Sequence, residues 1–294
     1  MKRVVVWIYL LSFLTGINFT TPVFAVFCNE KYHLDGPAVT TLFACFSLSV
    51  FLFEIPTGVL SDWLGEKKSL VIGSALYLIS MILFLSGNVA LLYLGEFLFG
   101  VGSTFFSGPY DSLIYKYCRM LDVDGLYDEV VSKSYALQWL ALGSSFLGCY
   151  ILTSIGSYTF AFVGTACANT LLLLVALSLP PVSGEYADDA ASSRPSITKM
   201  SKDIWRDRSL FRVVLLNTLF VTMLTAGYLI LQPHLMESAI EAELNGLIYF
   251  IAALCACLGS LLSDYGYVQK QGVAASCRCL NRSGLLRLRR TKTA

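Results

Sequence analysis

The chain has 294 residues, of which 56% are hydrophobic types and only 14% are charged. A soluble domain is about a quarter charged, and the apolar residues here fall into blocks of about twenty, the length that a helix needs to cross a bilayer. The formal net charge of +1 argues against a nucleic-acid-binding protein, because phosphate binding needs a concentrated basic surface. The composition therefore predicts an all-α membrane protein.

Eight apolar segments predict membrane-spanning helices. They are 4–27, 38–60, 69–87, 89–117, 135–156, 158–179, 211–233 and 244–262. The first is too long for the apolar core of a signal peptide and no small-residue cleavage site closes it, so it predicts a retained helix.

A polar stretch that begins at Pro180 divides six of these segments from the rest. The predicted domains are a six-helix bundle at 1–180, a cytoplasmic linker at 181–210, a two-helix partial bundle at 211–266 and a basic, disordered cytoplasmic tail at 267–294. The tail contains no apolar block, and its abrupt change of composition suggests a premature or altered C-terminus, so that the chain is truncated. The alternative is a native basic tail that lies on anionic lipid.

The distribution of basic residues predicts the orientation. With a cytoplasmic N-terminus, 20 of the 21 lysines and arginines lie on the inner side and only Lys31 lies on the outer side. The positive-inside rule requires such a bias. We therefore expect a multi-pass protein of the inner or plasma membrane with both termini in the cytoplasm.

The segment between the second and third predicted helices carries a motif. It reads Gly58-Val-Leu-Ser-Asp62-Trp-Leu-Gly65-Glu66-Lys67-Lys68. The glycine, the aspartate four residues later, the second glycine and the basic cluster resemble the loop signature of the major facilitator superfamily, on the cytoplasmic side where that family has it. The resemblance implies an MFS-like helical bundle, here with a complete six-helix N-terminal half and two helices of the second half.

In that family the loop is thought to hold the two halves together in one access state. By resemblance Asp62 is the main latch residue, with Gly58 allowing close helix approach, Gly65 the tight reversal, and Lys67 and Lys68 at the membrane surface. Glu66 replaces the usual basic residue, which weakens the expected latch. The alternative is an ordinary loop in which Asp62 caps a helix and the lysines only set topology.

Polar residues inside the apolar segments are candidates for a substrate or proton pathway, since ionisable groups there are costly. They are Asn18, Glu54, Glu96, Asp111 and Gln138. The carboxylates could carry protons or contact a cationic substrate. Alternatively they brace helix contacts or lie at hydrated ends, which Lys116 and Arg119 favour for Asp111.

Small residues at fixed spacing point to helix packing. Gly100, Thr104 and Gly108 recur at every fourth position, which predicts a close helix contact.

The resemblance implies a monomeric secondary active transporter that moves a small molecule by alternating access and is coupled to protons. It implies no cofactor, metal or catalytic residue. The substrate stays open between a drug-like cation, a metabolite and a sugar. Drug–proton antiporters of the family usually carry an arginine where Glu96 lies, so the resemblance does not establish antiport. An intramembrane enzyme is a weaker alternative, because the sequence has no His-Glu-x-x-His motif.

A non-transporting membrane scaffold or receptor is a further alternative. The predicted count of eight helices favours this alternative, because the resemblance implies a pathway lined by helices from two six-helix halves. For the same reason we expect that the eight-helix chain cannot cycle between access states alone.

Overall fold

The computed structural model describes residues 2–120, 127–180, 208–237, 244–255 and 258, which fold into helices without a strand. The helices are α1 (Lys2–Gly16), α2 (Phe24–Tyr32), α3 (Gly36–Leu64), α4 (Glu66–Phe84), α5 (Val89–Met120), α6 (Tyr127–Ile155), α7 (Thr159–Ser178), α8 (Arg208–Glu237) and α9 (Asn245–Cys255). Most of the predicted linker and the whole predicted tail at 267–294 lie outside the described residues.

Six helical segments of the described residues are long and apolar enough to cross a membrane, which confirms the predicted all-α membrane fold. They are Val4–Tyr32, Gly36–Leu64, Glu66–Phe84, Val89–Met120, Glu129–Ile155 and Thr159–Ser178. The 30-residue helix α8 covers the seventh predicted segment. The eighth is described only as α9 and residue 258, and its remainder lies outside the described residues.

The six segments bury little of their apolar surface against one another. Between 22% and 44% of each apolar window is buried inside the protein, and large side chains such as Phe51 and Ile155 are among the most exposed. An apolar surface of this extent needs a lipid environment or a partner, and helices suit lipid because they satisfy their own backbone hydrogen bonds.

Two buried apolar clusters lie at the two ends of the bundle. Gly65 joins α3 to α4, and we call the end of the bundle at this turn the hairpin end. The cluster at the hairpin end contains Leu11, Leu113 and Tyr117, whereas the cluster at the opposite end contains Phe24 and Phe162 with other aromatic side chains.

The first crossing is not the single helix predicted over 4–27. Helix α1 ends at Gly16, and a turn of 3-10 helix at Thr21–Val23 leads into α2. Pro22 explains the break, because a proline inside a helix removes a backbone donor and clashes with the carbonyl four residues earlier, here that of Asn18. Hydropathy does not detect such a break, because the residues around it remain apolar on average.

The close packing predicted for α5 is found at one of the two glycines in the Gly100, Thr104 and Gly108 pattern. A Cβ built at Gly100 would lie 1.9 Å from Ser49 Oγ and 2.8 Å from the Phe46 carbonyl oxygen, so α3 and α5 touch there through backbone and small side chains. Thr104 is buried. At Gly108, by contrast, no described atom lies within 4 Å of a Cβ position, so the contact does not continue to this glycine.

These two glycines form a matched test of the α3–α5 contact. Gly100→Ala should destabilise the protein by about 1–3 kcal/mol, because a methyl group would overpack a contact that includes backbone. Gly108→Ala should leave stability unchanged or raise it slightly, because alanine favours a helix over glycine. Thermal unfolding of the detergent-solubilised variants measures both effects. Equal losses from the two substitutions would contradict the packing described here.

Candidate translocation site

Three cavities follow α5 from the opposite end of the bundle to the hairpin end. The opposite-end cavity has a volume of about 190 Å³ and is lined by Glu96 and Phe99 of this helix. The central cavity, of about 230 Å³, is lined by Ser103 and Ser107, and the hairpin-end cavity, of about 400 Å³, by Ser112. One helix therefore contributes a polar side chain to each cavity, in the order of the chain.

Glu96 lies in the opposite-end cavity, on the second turn of α5. Its side chain is only 5% exposed. No described residue donates a hydrogen bond to the carboxylate or pairs with it as a cation. A buried carboxylate without a partner is costly, which marks this residue as functional.

Asn18 holds the break in the first crossing and also lines the opposite-end cavity. Its Oδ1 accepts hydrogen bonds from the backbone N–H of Thr20 (2.9 Å) and Thr21 (3.1 Å) and from the Thr20 hydroxyl (2.8 Å). Its own N–H donates to Ser145 Oγ on α6 at 3.0 Å. Asn18 therefore has a structural role at the break, in addition to lining the cavity.

The central cavity is lined mainly by hydroxyl, phenol and amide groups. Gln138 Nε2 lies 3.3 Å from Thr15 Oγ1 across it. Tyr135 donates to both oxygens of Asp111, at 3.0 and 3.1 Å, which ties α6 to α5. Asp111 therefore braces the contact between these two helices. Lys116, which is close to Asp111 in the sequence, forms its hydrogen bond with a different residue.

The hairpin-end cavity is lined by Glu54, Gly58 and Asp62, which lie at every fourth position of α3. Glu54 Oε1 accepts a hydrogen bond of 2.8 Å from Ser107, which also lines the central cavity. This contact places the Glu54 carboxylate next to the neighbouring cavity. The close helix approach expected at Gly58 is not found among the described residues, because no described atom lies within 4 Å of its Cβ position.

The turn between α3 and α4 depends on Gly65, as predicted. Its φ of +83° lies in the region that favours glycine, and its N–H bonds to the Ser61 carbonyl at 2.9 Å, which ends α3. The next residue, Glu66, accepts hydrogen bonds from Lys116 at 2.6 Å and from Ser112 at 2.9 Å. The residue that departs from the family signature therefore forms an ion pair with α5.

The two lysines of the turn differ in their surroundings. Lys67 donates to the Leu179 carbonyl at 2.7 Å and so caps the C-terminal end of α7, where a cation is favourable. Lys68 is exposed. Lys67 therefore has a structural contact within the first bundle, while a latch role for Asp62, Lys67 and Lys68 stays a prediction.

Several residues of these cavities were not predicted. They are Ser107, Tyr110, Tyr135 and Gln232, together with the phenylalanines of the opposite-end cavity. Gln232 could have been found by the criterion that selected Asn18, since it is an amide inside an apolar segment. The tyrosines and phenylalanines could not, because aromatic residues are frequent throughout the sequence.

The fold and the cavities define a multi-pass α-helical membrane protein with polar groups along its interior. The sequence profile of the Major Facilitator Superfamily matches residues 6–274, so the chain belongs to this family, which confirms the resemblance of the hairpin motif. An uncharacterized MFS-type transporter of Methanocaldococcus jannaschii is 25% identical over 137 residues, which cover 45% of this chain and 35% of that protein. The match thus spans about a third of the relative's length.

The ion pair at the turn can be tested against an exposed pair. Lys116→Met should destabilise the protein by about 3 kcal/mol, because it strands Glu66 in a site where both side chains are largely buried, at 14% and 17% exposure. Lys133→Met should cost less than about 1 kcal/mol, because the pair of Lys133 with Glu129 is half exposed. Thermal unfolding in detergent measures both variants.

A charge exchange provides the second control. The double variant Glu66→Lys with Lys116→Glu should recover part of the loss, because the two charges again face each other. If Lys116→Met and Lys133→Met were equally mild, the ion pair would not stabilise the turn.

Proposed function

We propose that the chain is a secondary active transporter that moves a small molecule across a cell membrane by alternating access, coupled to protons, and is not an enzyme. The observation that carries the proposal is the row of three cavities along α5, each with a carboxylate or hydroxyl group, inside a bundle whose outer surface is apolar. Membership of the Major Facilitator Superfamily supports the same function.

The polar groups form a path through the first bundle. From the opposite end it runs past Glu96, then past the hydroxyl and amide groups of the central cavity, and reaches Glu54 through its hydrogen bond with Ser107. Polar groups in a membrane interior are expensive, and they are kept where a substrate or an ion passes. The helices that line this path are held together in part by Asn18, Gln138 and Asp111.

Glu96 is the proposed proton carrier. An isolated carboxylate in an apolar, buried site is strongly disfavoured as an anion, so a proton or a positively charged ligand must accompany it. Opening of the cavity to water would favour release of the proton. One residue can therefore exchange a proton between the two access states without a second charged group.

The α3–α4 hairpin is the proposed gate at the hairpin end. Asp62 and Glu66 both line the hairpin-end cavity, and Glu66 is held by Lys116 on α5. Ion pairs of this kind can form in one arrangement and break in the other, which gives two discrete states. The proposed protein is a monomer in which helices beyond α7 supply the other wall of the path.

Glu96→Gln should abolish proton movement that a substrate drives, because the amide is similar in shape but carries no titratable proton. The measurement uses proteoliposomes of the full chain that contain a pH-sensitive dye, with a panel of small sugars, acids and amines. Glu30→Gln is the matched control, since it removes an exposed carboxylate near the opposite end and should leave flux unchanged.

Two outcomes would contradict the proposal in different ways. Full proton-coupled flux in Glu96→Gln would exclude this residue as the carrier. Absence of saturable flux for every compound with the unaltered, folded chain would instead favour a non-transporting membrane scaffold or receptor.

The proposed orientation places the hairpin end in the cytoplasm, because the positive-inside rule assigns Lys67, Lys68 and Lys116 to that side. In intact cells, a membrane-impermeant maleimide should add label to Glu30→Cys but not to Lys68→Cys, relative to the parent chain. Both substituted residues are exposed. Permeabilised cells are the control and should show labelling of both variants. Labelling of Lys68→Cys from outside intact cells would reverse the orientation.

A further inference from the structure

The opposite-end cavity is lined mainly by aromatic side chains. Its lining residues are Phe24, Phe43, Phe46, Phe84, Phe99 and Met81, with the polar residues Asn18, Thr20, Thr21, Glu96 and Gln232. The rings touch one another in series: centroids lie 5.7 Å apart for Phe24 and Phe43, 6.4 Å for Phe84 and Phe99, and 5.8 Å for Phe46 and Phe99. They form a continuous aromatic wall.

Two polar side chains of this cavity have no partner among the described residues. Glu96, at 5% exposure, has neither a hydrogen-bond donor nor a cation. Gln232 on α8 is equally buried, and its Oε1 is without a hydrogen-bond donor. They come from helices that belong to different parts of the chain, and both contribute to the same cavity. A ligand that carries a positive charge and a hydrogen-bond donor would satisfy both groups.

We infer that this cavity binds a small organic monocation of the methylated or quaternary ammonium class. Glu96 is its counter-ion, the phenyl rings hold the charge through cation–π contacts, and Gln232 Oε1 accepts a hydrogen bond from a hydroxyl or N–H of the ligand. The inference rests on the proposed transport function and specifies its substrate class.

The size and chemistry of the cavity separate this class from the alternatives. A volume of about 190 Å³ is below the range of about 300–1,000 Å³ that drug-sized ligands occupy. A sugar would need several hydrogen-bonding partners, whereas the Asn18 side-chain oxygen already accepts three hydrogen bonds and six of the eleven lining residues are apolar. An anion would face the Glu96 carboxylate at close range without a compensating cation.

Direct binding to the full chain in lipid nanodiscs tests the inference. Choline is the probe, and its neutral isostere 3,3-dimethylbutan-1-ol, which replaces the ammonium nitrogen by carbon, is the matched ligand control. Isothermal titration calorimetry should show choline binding about tenfold or more tightly than the isostere, because only the cation gains the ion pair and the ring contacts.

Substitutions then assign the binding to named residues. Glu96→Gln should weaken choline binding by about tenfold or more, since it removes a desolvated charge partner, whereas the exposed Glu30→Gln should not change it. Phe99→Leu should weaken choline binding several-fold and leave the isostere unaffected. Phe160→Leu, at an exposed ring outside the cavity, is its control.

Different outcomes would contradict the proposed binding site and the proposed transport function. Equal affinity for choline and its isostere, or choline binding that survives Glu96→Gln, would overturn the inference. Proton-coupled flux of a neutral or anionic compound without choline binding would overturn the substrate class and keep the transporter. Choline binding that depends on Glu96 without any flux would support the site and contradict the proposed transport function.

Discussion

Backbone hydrogen bonding at the break in the first crossing is the constraint on which the interior depends. Inside a membrane an unpaired backbone group costs several kcal/mol, so a helix can be interrupted only where side chains replace the missing bonds. Ser145 and Thr165 supply them from α6 and α7, at 3.0 Å from the backbone nitrogens of Asn18 and Phe19. The break therefore fixes the relative positions of the first crossing, α6 and α7.

This interruption also explains where the cavities lie. The break brings Asn18 and its hydroxyl neighbours to the opposite-end cavity, beside the aromatic side chains of the cluster at that end. Gly16 allows the approach, because a Cβ there would lie 2.2 Å from the Gln138 carbonyl oxygen. The opposite-end cavity therefore lies next to this close contact, and the buried Glu96 lines it.

The sequence predicted the helices and the hairpin well, because both depend on local chemistry. Segment length and hydropathy decide whether a helix can cross a membrane, and the positive φ at Gly65 is a conformation that favours glycine. Contacts between helices were not predictable in the same way. The partner of Glu66 is Lys116, fifty residues later, and Gln232 reaches the cavity from a helix after the linker. Such pairings depend on tertiary packing, which hydropathy does not encode.

The hairpin residue Lys67 and the α5 residue Tyr117 both bond to backbone carbonyl groups outside the hairpin-end cavity. The lysine binds the carbonyl of Leu179, and the phenol of Tyr117 donates to the carbonyl of Pro180 at 2.7 Å. The two acceptor residues directly follow Ser178, the last residue of α7. Because Lys67 belongs to the α3–α4 hairpin, a displacement of this turn would be transmitted to the backbone at the C-terminal end of α7.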